Sequence, residues 1–164
     1  MIFETPRLIV RNLESADFSP FYQMQGNPNV MRYTTGRPDT EKEARNSLKK
    51  CMDHYALPDN DFWVWAIERK TDGAFVGTAA IVEENEIGYR FLEKYWGNGY
   101  GQEIADGLIA HAIHKMSAKK VIAYVEPENI GSVKILERSK LNFIKEYIHP
   151  DDGELVRYYE YEAS

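Results

Sequence analysis

A chain of 164 residues, 43% hydrophobic and 28% charged, has the composition of one folded domain and enough length to bury a core. Its formal net charge of −6 argues against nucleic acid as a partner, because phosphate neutralisation needs clustered Lys and Arg, and favours the approach of cationic molecules. The single Cys51 rules out an internal disulfide and a Cys-rich zinc site. The four histidines, His54, His111, His114 and His149, lack metal-ligand spacing, so no metal is expected.

The opening segment has Glu4 and no apolar run of signal-peptide length, and no stretch approaches the roughly 20 apolar residues of a membrane helix. The expected setting is therefore cytoplasmic, without membrane contact. A single domain over 1–164 is expected, and a homodimer is left open. Leu8–Arg11 reads as a strand. Ser15 is placed to cap a helix through about Gln25, with Phe18, Phe21 and Tyr22 at helical spacing, and Gly26-Asn27-Pro28-Asn29 should stop it. Thr40 and Glu43 form a capping-box pattern for a helix reaching about Tyr55. Phe62–Arg69, Phe75–Val82 and Glu86–Leu92 read as three strands on short turns, hence an antiparallel meander.

After the segment Gly97–Gly101, residues Ile104, Leu108, Ile109, Ala112, Ile113 and Met116 form one apolar helical stripe. Val121–Val125 is a strand-length apolar run, Pro127 breaks it, and Ser132–Ser139 forms a short helix. Phe143–Ile148 and Leu155–Tyr161 pair as a terminal hairpin. The expected fold class is α+β, with a mixed, mostly antiparallel central sheet and flanking helices.

The chemistry concentrates in strand, loop and helix from Ile87 to the long stripe. Glycines let the loop Gly97-Asn98-Gly99-Tyr100-Gly101-Gln102 converge backbone N–H groups, and the following helix adds its own unsatisfied donors. That is an anion site built from backbone, suited to a pyrophosphate in an acidic protein. On the loop alone, a plain tight turn is an equal reading. No Gly-Lys-Ser/Thr follows, which excludes a P-loop. The spacing GxGxG after antiparallel strands fits a dinucleotide fold poorly.

Three signals occur in order: Gly88-Tyr89 on the strand, Tyr95-Trp96-Gly97-Asn98-Gly99-Tyr100-Gly101, and Pro127-Glu128-Asn129 with Ser132. Together they resemble the GNAT superfamily of N-acetyltransferases, most closely the branch that acetylates ribosomal-protein N-termini. The segment Glu4–Arg11 is similar to that branch's opening strand, so the resemblance covers nearly the whole chain. It implies acetyl-CoA as acetyl donor, with Gly97, Asn98, Gly99, Tyr100, Gly101 and Gln102 around the coenzyme A pyrophosphate. It further implies the pantetheine lying beside the strand that ends Phe91-Leu92, and Asn129 on the cofactor arm. Trp96 stands where Gln or Arg is usual in the family. Leu136 stands where many relatives carry a proton-donating Tyr, which leaves Ser132 as candidate acid. Asn142 replaces a usual Gly before Phe143, at a turn where Asn tolerates a left-handed backbone.

The implied reaction has an unprotonated primary amine attacking the thioester, with the carbonyl oxygen met by a backbone N–H near Phe91-Leu92. Glu86 is the candidate base, against a reading in which it is a solvated residue after the Glu84-Asn85 turn; Glu126 is second. A peptide α-amine has a pKa of roughly 7.7–8 and a lysine-like amine about 10.4, so the former needs less help from a base. The resemblance favours a protein or peptide N-terminal α-amine as acceptor, which the easier deprotonation makes workable, ahead of a polyamine or aminoglycoside-like small amine. A non-catalytic acyl-CoA-binding module is the reading from a different class.

Overall fold

Period-two alternation in the strands sorts their side chains onto two faces, and each face carries its own core. The computed structural model describes residues 1–163; Ser164, last in the domain expected over 1–164, lies outside them. In chain order the elements are β1 (Phe3–Glu4), β2 (Leu8–Asn12), α1 (Phe18–Gln25), α2 (Pro28–Met31), α3 (Glu41–His54), β3 (Trp63–Arg69), β4 (Phe75–Val82) and β5 (Glu86–Phe91). They continue with α4 (Tyr100–His114), β6 (Lys120–Val125), α5 (Ile130–Glu137), β7 (Asn142–Ile148) and β8 (Leu155–Glu162). The eight strands form a single sheet in the order β1-β2-β3-β4-β5-β6-β8-β7.

The expected meander β3-β4-β5 and terminal hairpin β7-β8 are both present and antiparallel. The tight β4–β5 connection places Glu84 and Asn85 in the left-handed region, φ +62° and +60°. Only β5 and β6 run parallel, and they pair at one position, Glu86 with Ile122. Beyond it the two strands diverge, and the sheet opens into a wedge toward the end of β5.

One core joins the sheet to α4 and α5. Ile104, Leu108 and Ile109 of α4 are essentially buried there against Ile87, Phe91, Val121 and Ala123. Each such side chain contributes about 1.5–3 kcal/mol. The other core lies under α1, α2 and α3, with Phe21, Met24, Met31, Leu48 and Cys51 against Ala66 and Phe75. On β5, Ile87 and Phe91 belong to the first core, and Tyr89 packs against it. The alternation sends Glu86, Gly88 and Arg90 to the opposite face, beneath α1 and α2.

Several local expectations change. Ser15 is not a cap: Ser15–Asp17 form one 3-10 turn behind Glu14, whose N–H donates to Asp17 Oδ2 at 2.8 Å, and α1 proper begins at Phe18. Gly26 ends α1 where the stop is expected, but the same stretch also opens an unexpected second helix. Asn27 caps α2 by accepting from the Asn29 N–H at 2.9 Å, with Pro28 in the first helical position. The helix expected over Ser132–Ser139 starts at Ile130, because Asn129 occupies its cap. Asn142 is not in a left-handed turn; it opens β7 in an extended ladder. The Thr40–Glu43 capping box is present, with Glu43 N–H on Thr40 Oγ1 at 3.2 Å and Thr40 N–H on Glu43 Oε1 at 3.0 Å. The Arg37 guanidinium beside Glu43 holds that carboxyl down to about 2. Among the described residues, no helix is long and apolar enough to cross a membrane, and no group of His, Cys, Asp and Glu could hold a metal ion.

Candidate active site

The wedge between β5 and β6 opens into a cleft of about 1140 Å³ bounded by the loop before α4, by α5 and by the segment after α2. That volume reaches the upper end of small-molecule sites, enough for an extended cofactor and a second molecule. Of the residues expected at a site, Glu86, Phe91, Gly97, Gly99, Tyr100, Gly101, Gln102, Asn129 and Ser132 all line it. Leu92 and Asn98 do not.

The reason for each exception is a hydrogen bond. Leu92 is buried, and its N–H donates to the Val76 carbonyl at 3.0 Å, so it is not free to meet a carbonyl oxygen. Antiparallel ladders alternate between bonded and unbonded pairs. With Leu92 bonded to Val76 and Phe91 opposite Gly77, the bonded pairs fall at Arg90 with Thr78 and at Gly88 with Ala80. The N–H groups of Tyr89 and Phe91 therefore point away from β4, into the wedge. In the region Phe91-Leu92, where a donor is expected, Phe91 has the free N–H and Leu92 does not; Tyr89, two residues before Phe91, offers another. The Phe91 carbonyl, on the same edge, accepts from the Trp96 indole N–H at 3.0 Å.

Asn98 staples the loop. Its side-chain amide donates to the carbonyls of Tyr95 and Trp96 at 2.9 and 3.3 Å, and its own carbonyl accepts from Arg7 Nη1 at 2.8 Å. Arg7 also pairs with Glu103 in the first turn of α4 at 2.8 Å and lies 4.6 Å over the Tyr100 ring. The β1–β2 turn thus braces the loop from outside. Gly99 needs its φ of +79° to cap α4, and this turns the first N–H groups of the helix toward the cleft. The Gln102 side-chain amide ties α4 to α5 through the Ile135 carbonyl at 3.2 Å.

Asn129 caps α5, its Oδ1 accepting from the Ser132 N–H at 3.4 Å, and lines the cleft. Leu136, in the position where a Tyr was missed, is buried core at 2% exposure. Instead Tyr89 and Ser132 both line the cleft; burial pushes the Tyr89 phenol up to about 12, with Ser132 opposing the shift, so Tyr89 stays protonated. Sequence reading quoted Tyr89 as part of a motif without giving it this role, since Ser132 lies 43 residues further along the chain. On the other face, burial and the neighbouring Glu84 raise the pKa of half-buried Glu86. Glu126 also lines the cleft, its pKa raised by burial first and then by Glu154, Glu128 and Asp152. Cys51 is buried away from the cleft, and desolvation pushes its thiol up to about 11. His111 on α4 packs against aromatic rings: it stacks on Phe3 at 5.1 Å and meets Trp65 edge-on.

Comparison with known proteins agrees with this geometry. Residues 7–142 match the Acetyltransferase (GNAT) domain family. An uncharacterized N-acetyltransferase, p20, of Bacillus licheniformis is 30% identical over 148 residues, covering 87% of this chain and 82% of that protein. Spermidine N-acetyltransferase from Vibrio cholerae, solved in complex with CoA and spermine, superposes with a TM-score of 0.80 at 17% identity, over 94% of this chain and 95% of that one. A putative ribosomal-protein-serine acetyltransferase from Vibrio cholerae gives 0.76 at 17% identity, over 97% and 95%. The chain belongs to the GNAT acetyltransferase family and is an acetyl-CoA-dependent N-acetyltransferase.

Proposed function

We propose that this chain acetylates a primary α-amine, as on a peptide or protein N-terminus, by direct attack of the neutral amine on the thioester of acetyl-CoA. One observation carries the reading: the open β5 edge, with the N–H groups of Tyr89 and Phe91 directed into a wedge that leads to the glycine loop. An extended amide-bearing arm fits such an edge as a missing strand would. The N–H groups of Gly101 and Gln102 at the start of α4 then hold the pyrophosphate, with Gly97, Gly99 and Tyr100 shaping the turn. The Asn129 amide contacts the arm. The wedge narrows toward Glu86, so the thioester end lies nearest the Tyr89 N–H, which polarises its carbonyl, while the Phe91 N–H meets the arm.

The acceptor enters from the face of Glu86 and Arg90. Glu86 takes the amine's proton directly or through a water, and its raised pKa makes it a better base than an ordinary carboxylate. As the C–S bond breaks, the thiolate takes a proton from Ser132, which the Tyr89 phenol supports from behind. Cys51 is too buried and too weakly acidic to form an acyl-enzyme, which supports direct transfer.

A polyamine acceptor is the second reading. It is favoured by the acidic rim of Glu126, Glu128, Asp152 and Glu154 and by the solved neighbour that acts on spermidine. Mass spectrometry of products from a mixed panel of peptides and polyamines separates the two. Acetylated peptide N-termini support the first reading, and turnover of polyamines alone replaces it with the second.

A further inference from the structure

We propose that Arg90 anchors an anionic group of the acceptor, so that the amine acetylated here carries a carboxylate a few bonds away. The inference rests on the acetyl-transfer reading above and narrows its acceptor. Arg90 sits on β5 beneath α1 and α2, half-buried, with burial lowering its pKa. A guanidinium nonetheless stays charged, so the fold holds a cation where solvation is poor. Its direct partner is neutral: Nη1 donates to the Gln25 side-chain oxygen, with the sulfur of Met31 3.7 Å away. Asp39 acts on Arg90 through its charge, opposing the effect of burial, but makes no contact with it; Gln25 stands between them and its Nε2 donates to Asp39 Oδ2 at 3.0 Å. Among the described residues no carboxylate lies within 4.0 Å of the guanidinium. Nε and Nη2 have no protein acceptor, yet they are not sealed from solvent, and Arg90 lines the cleft.

A role confined to bracing α1 needs only the one bond to Gln25. It gives no reason for a full charge with two donors left open. Those donors form the parallel fork that matches a carboxylate. The floor leading to them is bare, because Gly88 lies between Glu86 and Arg90 on the same face, and a Cβ there would meet only Ala80 at 4.0 Å. Glu86 and Arg90 are about 13 Å apart along the strand, a span their own side chains and a small molecule can close together. An acceptor lying across Gly88 would point its amine toward Glu86 and its anion at Arg90. A polycation would instead bring an ammonium against Arg90, which disfavours it even within an acidic protein.

The carboxylate is a side-chain one, on a free acidic amino acid or on an acidic residue at the start of a peptide. Initial rates of thiol release, with product mass spectrometry, should be compared for glutamate against glutamine and for peptides opening with Glu against Gln, with spermidine alongside. In the wild type, the acidic member of at least one pair should exceed its amide partner by about tenfold or more in kcat/KM, and the pair that does so identifies the source. Arg90→Gln should lower the acidic member about a hundredfold and the amide member less than about threefold, while Arg90→Lys keeps part of the preference. Equal rates within both pairs of the wild type, turnover of spermidine alone, or a parallel loss for acid and amide in Arg90→Gln each overturn the inference and leave acetyl transfer standing. The wild-type comparison decides even if Arg90→Gln folds poorly. A protein that acetylates no amine contradicts the transfer reading itself, and the inference falls with it.

Discussion

The Trp96 indole N–H and the Phe91 carbonyl meet at 3.0 Å, so the last carbonyl on the open β5 edge is taken, while the Phe91 N–H, in the preceding peptide, stays open to the cleft. Trp96 is half exposed, at 48%, and its ring forms part of the cleft wall. It therefore holds the end of the open β5 edge in place. Trp96→Phe keeps most of the ring and loses the bond. Stability should fall by about 1 kcal/mol. The KM for acetyl-CoA should rise about three- to tenfold with kcat little changed, because the lost contact acts on binding. A thermal melt and steady-state kinetics check both.

Glu86 is held above the ordinary carboxylate range by burial and by Glu84. Only its ionised form can take a proton, so the acid limb of the rate profile should lie at higher pH than for a solvated Glu. Glu84→Gln removes the like charge and should move that limb to lower pH. Glu86→Gln should abolish it and cost about a hundredfold in kcat for a lysine-like amine, but less for a peptide α-amine. A limb unmoved by either substitution removes Glu86 from the mechanism.

Tyr89 and Ser132 should act as a unit. Ser132→Ala and Tyr89→Phe should each lower kcat about tenfold or more with little effect on the KM for acetyl-CoA, and the double variant should be little worse than either single one. Strict additivity of the two effects would show that they do not share a proton path. Full turnover in Ser132→Ala would pass the acid role to Tyr89 or an ordered water.

Features set by local chemistry were legible before the structure. The Thr40–Glu43 box, the β3–β5 meander and the glycine loop each depend on neighbouring residues, and each appears where the spacing puts it. β1 was missed because Phe3–Glu4 is too short for a pattern and exists through its pairing with Val10 and Ile9. α2 was missed because Asn27-Pro28 reads equally well as a stop and as a cap with a first-turn proline. At the site, the backbone donors came through as a region but not as atoms. Which N–H is free depends on the Leu92–Val76 bond, which no periodicity displays. Arg90 gave no signal, and Tyr89 entered only as part of a motif, because their surroundings come from α1 and α5, distant in sequence.

Cys51 offers a control on direct transfer. Its thiol, raised to about 11 and buried, should react with alkylating reagents only as the fold opens. Cys51→Ala should keep full kcat, though it leaves a small void in the helical core. Rapid labelling that tracks loss of activity, or trapping of an acetyl group on Cys51, would refute a mechanism without an acyl-enzyme.

The most direct test of the central claim is calorimetric titration of acetyl-CoA into the wild type and Gly101→Val. Gly101 stands in the first turn of α4, and a Cβ there would approach the flexible end of Ile135 at 2.7 Å, so the fold can absorb it by a side-chain shift. The added branches would nonetheless cover the backbone donors proposed to hold the pyrophosphate. Wild type should bind acetyl-CoA at a single site per chain. The variant should lose about a hundredfold or more in affinity while its melting temperature stays within a few degrees. Equal affinity in the two proteins would contradict the account.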